Sequence, residues 1–426
     1  KLNVFGWAST NPCYGGTGSG ALNDAYPTVT LLQGLREAGL KLNDQLENFY
    51  VNYKADRPVV GMWNQDWTLP EPNVSLYTDE LINGAKEFSD TAMIVITRVG
   101  GEGADLPDDM MSVIDGTYAS RSGAGNTYYV GTYDDSLNEG NDWDAGDHFL
   151  QLSNREEEMV ELVCANFDNV IVLYNGANPF ELGWVEDYPQ IKGLIACPGT
   201  GQAGFTALGE IVAGAVNPSG HLVDTYVYDM EATPWWNNFG SFLYDNMQEF
   251  EYHGSSFGGE VTEVPNFVEG IYVGYKFYET ADKVGFLNYE ETVQYPFGYG
   301  LSYTSFTQEM GPISESNGTI TFDVTVTNTG STAGKDVVEV YVDPPYTEGG
   351  IEKASANLVE FAKTGLLEPG ASEKVTISFP VEDMASYDAH GAGCYVLEGG
   401  EYVISINSDS HTVLDSQNYN VLSTIT

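Results

Sequence analysis

The sequence predicts an α/β sandwich, a mostly parallel sheet with helices on both faces, followed by an immunoglobulin-like β-sandwich. Three observations carry this. Residues 1–225 alternate apolar runs with helix-periodic segments, the pattern of a parallel sheet covered on both sides. Beyond residue 306 the chain reads as strand after strand. The length, 426 residues, is two or three domains at roughly 100–200 residues each. The predicted division is 1–300 for the α/β domain, with 227–300 irregular and interface-forming, and 301–426 for the β-sandwich.

In the first region "KLNVFGW" (1–7), "TAMIVIT" (91–97), "NVIVLYN" (169–175) and "KGLIACP" (192–198) read as strands. "YPTVTLLQGLREAGL" (26–40) has helical spacing, with Pro27 suited to a first turn. "DELINGAKEFS" (79–89) and "GQAGFTALGEIVAGAV" (201–216) are further helices. "SNREEEMVELVCANF" (153–167) offers Ser153 as an N-cap with acids in its first turn. In the second region "GTITFDVTVTNTG" (318–330) alternates with period two and ends in a turn signal. "DVVEVYV" (336–342), "SEKVTISF" (372–379) and "GEYVISIN" (400–407) follow at sandwich-like spacing. The Cys…Trp…Cys spacing of antibody domains is not there. Between the two regions "FGYGLSYTSF" (297–306) is aromatic enough to demand burial where domains meet.

Composition narrows the partners. Asp and Glu number 62 against 16 Lys and Arg, a net charge of −46, which repels nucleic acid and anionic lipid. The acids are spread along the chain, as solubility or adaptation to salt would have it. Cys13, Cys164, Cys197 and Cys394 form no C-x-x-C pair, and His148, His221, His253, His390 and His411 are scattered, so neither a metal site nor a cofactor is expected. No apolar run approaches the ~20 residues of a membrane span. Few cysteines and no signal pattern after Lys1 favour a cytoplasmic setting.

One stretch raises a chemical question. In "VITRVGGEGADLPDDM" (95–110) a buried strand ends and a carboxylate, Glu102, stands between Gly101 and Gly103. Ligands of open α/β sheets bind beyond the carboxyl ends of strands, and glycines let the backbone approach a partner. The plainer reading is a solvated loop acid. Glu102 also opens an unusually long Gly-, Asp- and Tyr-rich segment that runs to the helix at 153. "YGGTGSG" (14–20) has the place of a phosphate-cradling loop but neither G-x-G-x-x-G nor a following G-K-[ST], so a tight turn lining a cleft is preferred.

"RVGGEGAD" (98–105) resembles the acid/base loop of glycoside hydrolase family 3, in its β-glucosidase-type members. "LQLSNREEEMVELV" (150–163), "VIVLYNGANPFELGW" (170–184), "LIACPGTGQAGFTALGEIVAGAVNPSGHLVDTY" (194–226), "EGIYVGYKFYE" (269–279) and "YPFGYGLSYTSF" (295–306) resemble the same family in the same order. The final strands look like its fibronectin type III-like domain. The resemblance implies a retaining mechanism: an Asp nucleophile on a (β/α)8 barrel, and a Glu on a sandwich loop as general acid/base. It assigns that Glu to Glu102, with Arg98 and Asp105 supporting the loop. Glu139, in "LNEGNDW" (137–143), is second choice because Glu102 has Arg98, Gly101 and Asp105 about it as in the family loop. Such an acid needs a raised pKa, which burial beside another carboxylate can supply.

The resemblance departs at the barrel. "NQDW" (64–67) and "NDW" (141–143) echo the nucleophile's Asp-Trp context, but neither follows a barrel strand, and the two domains leave no room for the roughly 200–250 residues of a barrel. The nucleophile is therefore not in this chain. The expected function is the non-barrel part of a retaining β-glucosidase-like hydrolase acting on a β-glucoside or related oligosaccharide. A barrel domain or chain would complete it, as in an inverted-domain-order member or a cleaved enzyme. The alternative is a non-catalytic carbohydrate-binding or adhesion module, stacking sugars on Tyr118, Tyr128, Tyr129, Tyr133 and Trp143. A flavodoxin-like cofactor binder is a third reading.

Overall fold

The structure, a computed structural model, describes residues 1–23, 25–61, 64–121, 128–138, 140–238 and 268–426. Two compact units are present. One comprises Lys1–Val216 with the described start of Met230–Phe267; the other comprises Asn217–Asp229 and Val268–Thr426.

The first unit is built on a four-stranded parallel sheet: β1 (Asn3–Phe5), β2 (Thr91–Thr97), β3 (Asn169–Asn175) and β4 (Ile191–Cys197), in that spatial order. Val4 lies opposite Met93, Ile94 opposite Val172, and Val172 opposite Leu194. Residues 92–97 of β2 are all buried, as expected of an interior strand covered on both faces. The helices are α1 (Leu31–Glu37), α2 (Asp44–Tyr53), α3 (Asp79–Phe88), α4 (Met110–Ile114), α5 (Asn154–Asn166) and α6 (Gly204–Val212). Leu31, Leu35, Phe205 and Leu208, from α1 and α6, share a core cluster with Val4, Met93 and Leu173 of the sheet.

Pro27 is not in a first turn. Helix α1 begins four residues later because the Thr30 side chain accepts from the Gln33 N–H and caps it there. Helix α2, with Asn43 as its cap, was not expected from the sequence; only Leu46 and Tyr50 of it are buried, too sparse a stripe to read. Ser153 caps α5 as expected. Its side chain accepts from the Glu156 N–H, and the Glu156 carboxylate accepts from the Ser153 N–H, a closed capping box.

The second unit is antiparallel. Strands β5 (Phe306–Met310), β6 (Ser314–Ser316), β7 (Thr319–Asn328) and β10 (Ser372–Pro380) make one sheet, with β7 in its middle. Strands β9 (Asn357–Lys363), β8 (Val337–Asp343), β11 (Gly400–Asn407) and β12 (Val413–Val421) make the other, in that order. Ile320, Phe322, Val324 and Val326 alternate inward along β7 and share a core with Val338, Val340, Ile377, Phe379, Ile404 and Ile406. "FGYGLSYTSF" is not buried by the chain itself: Phe297 and Tyr299 are half-buried, and Tyr303 is exposed.

Among the described residues there is no (β/α)8 barrel. Nor is any helix long and apolar enough to cross a membrane, and no group of three or more His, Cys, Asp or Glu could hold a metal ion.

Candidate active site

The carboxyl ends of the parallel strands are tied together by one side chain. Asn175, the last residue of β3, is fully buried. Its Oδ1 accepts from the Cys13 N–H at 2.6 Å, and its amide donates to the carbonyls of Cys13 (3.1 Å) and Cys197 (3.0 Å). Thr97 Oγ1 and the Arg98 N–H both donate to the Asn175 carbonyl. The segment after β1 and the ends of β2, β3 and β4 thus share one hydrogen-bond set, and the loop after β2 leaves from fixed ground. Sequence reasoning missed Asn175, because a strand-terminal Asn reads only as a turn former.

Arg98 opens that loop and is anchored. Its guanidinium meets the Glu156 carboxylate in two parallel bonds, 2.9 and 2.7 Å, and donates to the carbonyls of Thr97, Phe149 and Gln151. Its planar face lies 5.2 Å from the Phe149 ring centroid and 4.8 Å from that of Phe180. Arg98 therefore links the end of β2 to the first turn of α5.

Four residues on, the chain makes a tight turn. The Ala104 N–H donates to the Gly101 carbonyl at 3.0 Å, and Gly103 sits at φ +72°, a conformation that costs glycine nothing. Glu102 is at the tip, its carboxylate in solvent. The backbone beneath it is pinned at three carbonyls from separate parts of the chain. Thr17 Oγ1 donates to Glu102 O (2.8 Å), Gln65 Nε2 to Gly103 O (3.0 Å) and Tyr118 Oη to Asp105 O (2.9 Å). The Glu102 Oε2 accepts from the Ser19 N–H at 2.7 Å. That bond, with the Ser19 hydroxyl, holds the Glu102 carboxyl below the ordinary glutamate range, opposite to the raised value an acid requires. The reason is local: Glu102 is exposed, so the desolvation that opposes the hydrogen bonds is the smaller effect. Asp105 is also open to solvent, yet the protein around it raises its carboxyl by desolvation.

"YGGTGSG" is thus the neighbour of Glu102, a juxtaposition no local pattern announces. The two Asp-Trp echoes have structural partners. Asp66 Oδ1 accepts from the Thr68 N–H and hydroxyl. Asp142 is buried, accepts from Tyr133 Oη at 2.9 Å and lies 3.5 Å from Arg155. Trp67 and Trp143 are buried. Of the aromatics considered for sugar stacking, Tyr118 and Trp143 are buried and Tyr133 is turned onto Asp142. The side chains of Tyr128 and Tyr129 lie outside the described residues. Glu139 lies outside them as well.

A parallel sheet whose strand ends carry a pinned turn with an exposed carboxylate is now in view, and comparison with known proteins gives it a family. Residues 1–275 match the glycosyl hydrolase family 3 C-terminal domain. The chain belongs to this family. Residues 336–410 match the fibronectin type III-like domain, in accord with the antiparallel second unit. The chain is 32% identical over 423 residues to beta-glucosidase A of Butyrivibrio fibrisolvens, covering 94% of this chain and 45% of that protein. It is 29% identical over 413 residues to a beta-glucosidase of Ruminococcus albus, covering 95% and 36%. Among solved structures, a beta-glucosidase from Paenibacillus barengoltzii superposes with a TM-score of 0.76 at 29% identity, over 100% of this chain and 41% of that one. Beta-glucosidase 3B from Thermotoga neapolitana, in complex with glycerol, gives 0.72 at 27%, over 100% and 50%. The chain spans half or less of the length of these relatives.

Proposed function

We propose that this chain is the non-barrel part of a retaining β-glucosidase-type glycoside hydrolase, and that Glu102 is its general acid/base. The observation that carries the reading is the turn at 101–104: its carbonyls are fixed by Thr17 and Gln65 while its carboxylate faces solvent at the carboxyl ends of a parallel sheet. A rigid backbone under an exposed acid suits delivery of that acid to a site completed by another domain. That domain is a (β/α)8 barrel supplying an Asp nucleophile, and the substrate is a β-glucoside or related oligosaccharide.

The chemistry runs in two steps. The Glu102 proton passes to the glycosidic oxygen as the C–O bond breaks. The nucleophile's carboxylate meanwhile forms an ester with the anomeric carbon, and the aglycone leaves as an alcohol. Water then attacks that carbon, gives its proton to Glu102, and the ester opens. The two carboxylates need to be about 5–5.5 Å apart. A second carboxylate at that distance is also what would lift Glu102 from its depressed value to one suited to an acid.

The test is Glu102→Gln in the chain joined to its barrel. Turnover of substrates with poor leaving groups should fall by about 10²–10⁴-fold. Good leaving groups should suffer less in the first step, and azide, which needs no base, should restore the second and give a β-glycosyl azide. Glu139→Gln should leave these properties intact. The opposite pattern would move the acid to Glu139. Residues 1–426 alone should hydrolyse no aryl β-glucoside, because only one of the two carboxylates is present; robust turnover by the isolated chain would overturn the division of labour.

A further inference from the structure

The glycine loop at 15–20 is absorbed by neither a phosphate nor a simple turn. It folds on itself, with the Gly16 N–H on the Gly20 carbonyl (3.0 Å) and the Gly20 N–H on the Thr17 carbonyl (3.1 Å). In that form it lies against the turn of Glu102 at backbone contact distance. A Cβ on Gly101 would fall 2.7 Å from Thr17 N, and one on Gly16 would fall 3.3 Å from Gly100 O. The tightest meeting is at Gly18. A Cβ there would lie 2.4 Å from Glu102 Oε2, 2.7 Å from its Cβ and 2.9 Å from its Cδ. Gly18 also sits at φ +58°, where other residues are strained. The Glu102 side chain occupies the space that any side chain at 18 would need, and its Oε2 takes the next N–H, that of Ser19, at 2.7 Å.

We infer that the loop at 15–20 is a positioning device for Glu102, in which bare Gly18 and the Ser19 amide hold Oε2 so that the transferred proton travels on Oε1. The inference rests on Glu102 being the acid/base. Its chemical basis is that a backbone N–H can only donate. Whichever proton state Glu102 is in, the oxygen facing the Ser19 amide is an acceptor, and this favours the proton on the other oxygen, with the Ser19 hydroxyl free to donate beside the amide. In the first step Oε1–H gives its proton to the glycosidic oxygen and Oε1 becomes anionic; in the second, water returns a proton to Oε1. The amide also favours the ionised form, the one the second step starts from, and the depressed Glu102 carboxyl agrees with this. Thr17, which holds the Glu102 carbonyl, positions the turn rather than the carboxylate.

The experiment is a titration of Glu102 by carboxyl-carbon NMR in residues 1–426, with Glu102→Gln identifying the resonance. The wild type should titrate below the ordinary glutamate range. Gly18→Ala, which fills the space of Oε2, should shift it upward. Ser19→Pro, which deletes the N–H, should do the same, whereas Ser19→Ala, which keeps it, should stay nearer the wild type. In the chain joined to its barrel, Gly18→Ala should lower kcat on poor leaving groups by about 10–100-fold with little change in KM, as misplacement of a reacting group does. The basic limb of its pH profile should move up. A wild-type Glu102 that titrates at or above the ordinary value, or variants that titrate as the wild type does, would overturn the inference. Failure of the acid/base reading is seen separately, as full activity in Glu102→Gln, because the titration does not depend on turnover.

Discussion

Arg98 and Glu102 stand four residues apart at the end of the same strand and have opposite surroundings. The Arg98 side chain is 1% exposed and bonds a carboxylate and three carbonyls between two aromatic rings. Glu102 is in solvent with one backbone amide on its carboxylate. Burial makes the first an element of the fold, since a buried guanidinium needs its partners. Exposure over a pinned backbone leaves the second free for chemistry. Charge and sequence position alone do not separate such residues; the partners do.

The largest effect on stability should come from breaking the Arg98 set. Arg98→Met strands the 7%-exposed Glu156 carboxylate, and losing one partner of a buried pair costs about 3–5 kcal/mol. Urea unfolding of the first unit should show that loss, while Glu102→Gln leaves the unfolding midpoint where it was. If Arg98→Met unfolds like the wild type, the pair is not the anchor it is taken to be here.

A third ionisable group sharpens the contrast. Glu71 is buried, accepting from the Trp7 N–H at 2.7 Å and from Tyr77 Oη at 2.5 Å, and Tyr77 in turn shares a 2.8 Å bond with Tyr50. Desolvation pushes its carboxyl up to about 8, against the pull of those hydrogen bonds. The folded chain then keeps a proton that the unfolded chain has released. Stability contributed by this group is therefore fully present below the ordinary glutamate value and is lost as pH rises toward about 8. The slope in between is about 1.4 kcal/mol per pH unit at most. Hydrogen exchange around β1 and α2 should report weakening from pH 5 to 8 in the wild type and much less in Glu71→Gln. Equal pH dependence in both would show that Glu71 titrates normally.

The smallest effect concerns the cap beneath the Arg98–Glu156 pair. Ser153→Ala removes one side-chain acceptor from the first turn of α5 but leaves the pair, and should cost about 1 kcal/mol, read as faster exchange of the Glu156 amide. A loss as large as that of Arg98→Met would mean that cap and ion pair act as one unit.

Much of this was legible. The period-two alternation in β7 gave its inward face, and Ser153 followed by acids marked the N-cap of α5. Glycines on either side of Glu102 marked a loop whose backbone can approach a partner, and family resemblance supplied the role proposed for the acid. What was not legible is long-range. The bond between Ser19 and Glu102 spans 83 residues, and that between Cys13 and Asn175 spans 162. The sparse stripe of α2 and the early start expected for α1 failed for a local reason, since both helix ends were decided by the caps Asn43 and Thr30.

By itself, then, the sequence determined the main strands and most helices, the two-region order and the candidacy of Glu102, because hydrophobic period, capping residues and glycine placement act over a few residues. Only the tertiary structure decided that Arg98 is an anchor, that burial raises the Glu71 carboxyl and that the glycine loop at 15–20 meets Glu102. Each of these depends on which distant groups exclude water from a charge or donate to it, and no local period encodes that.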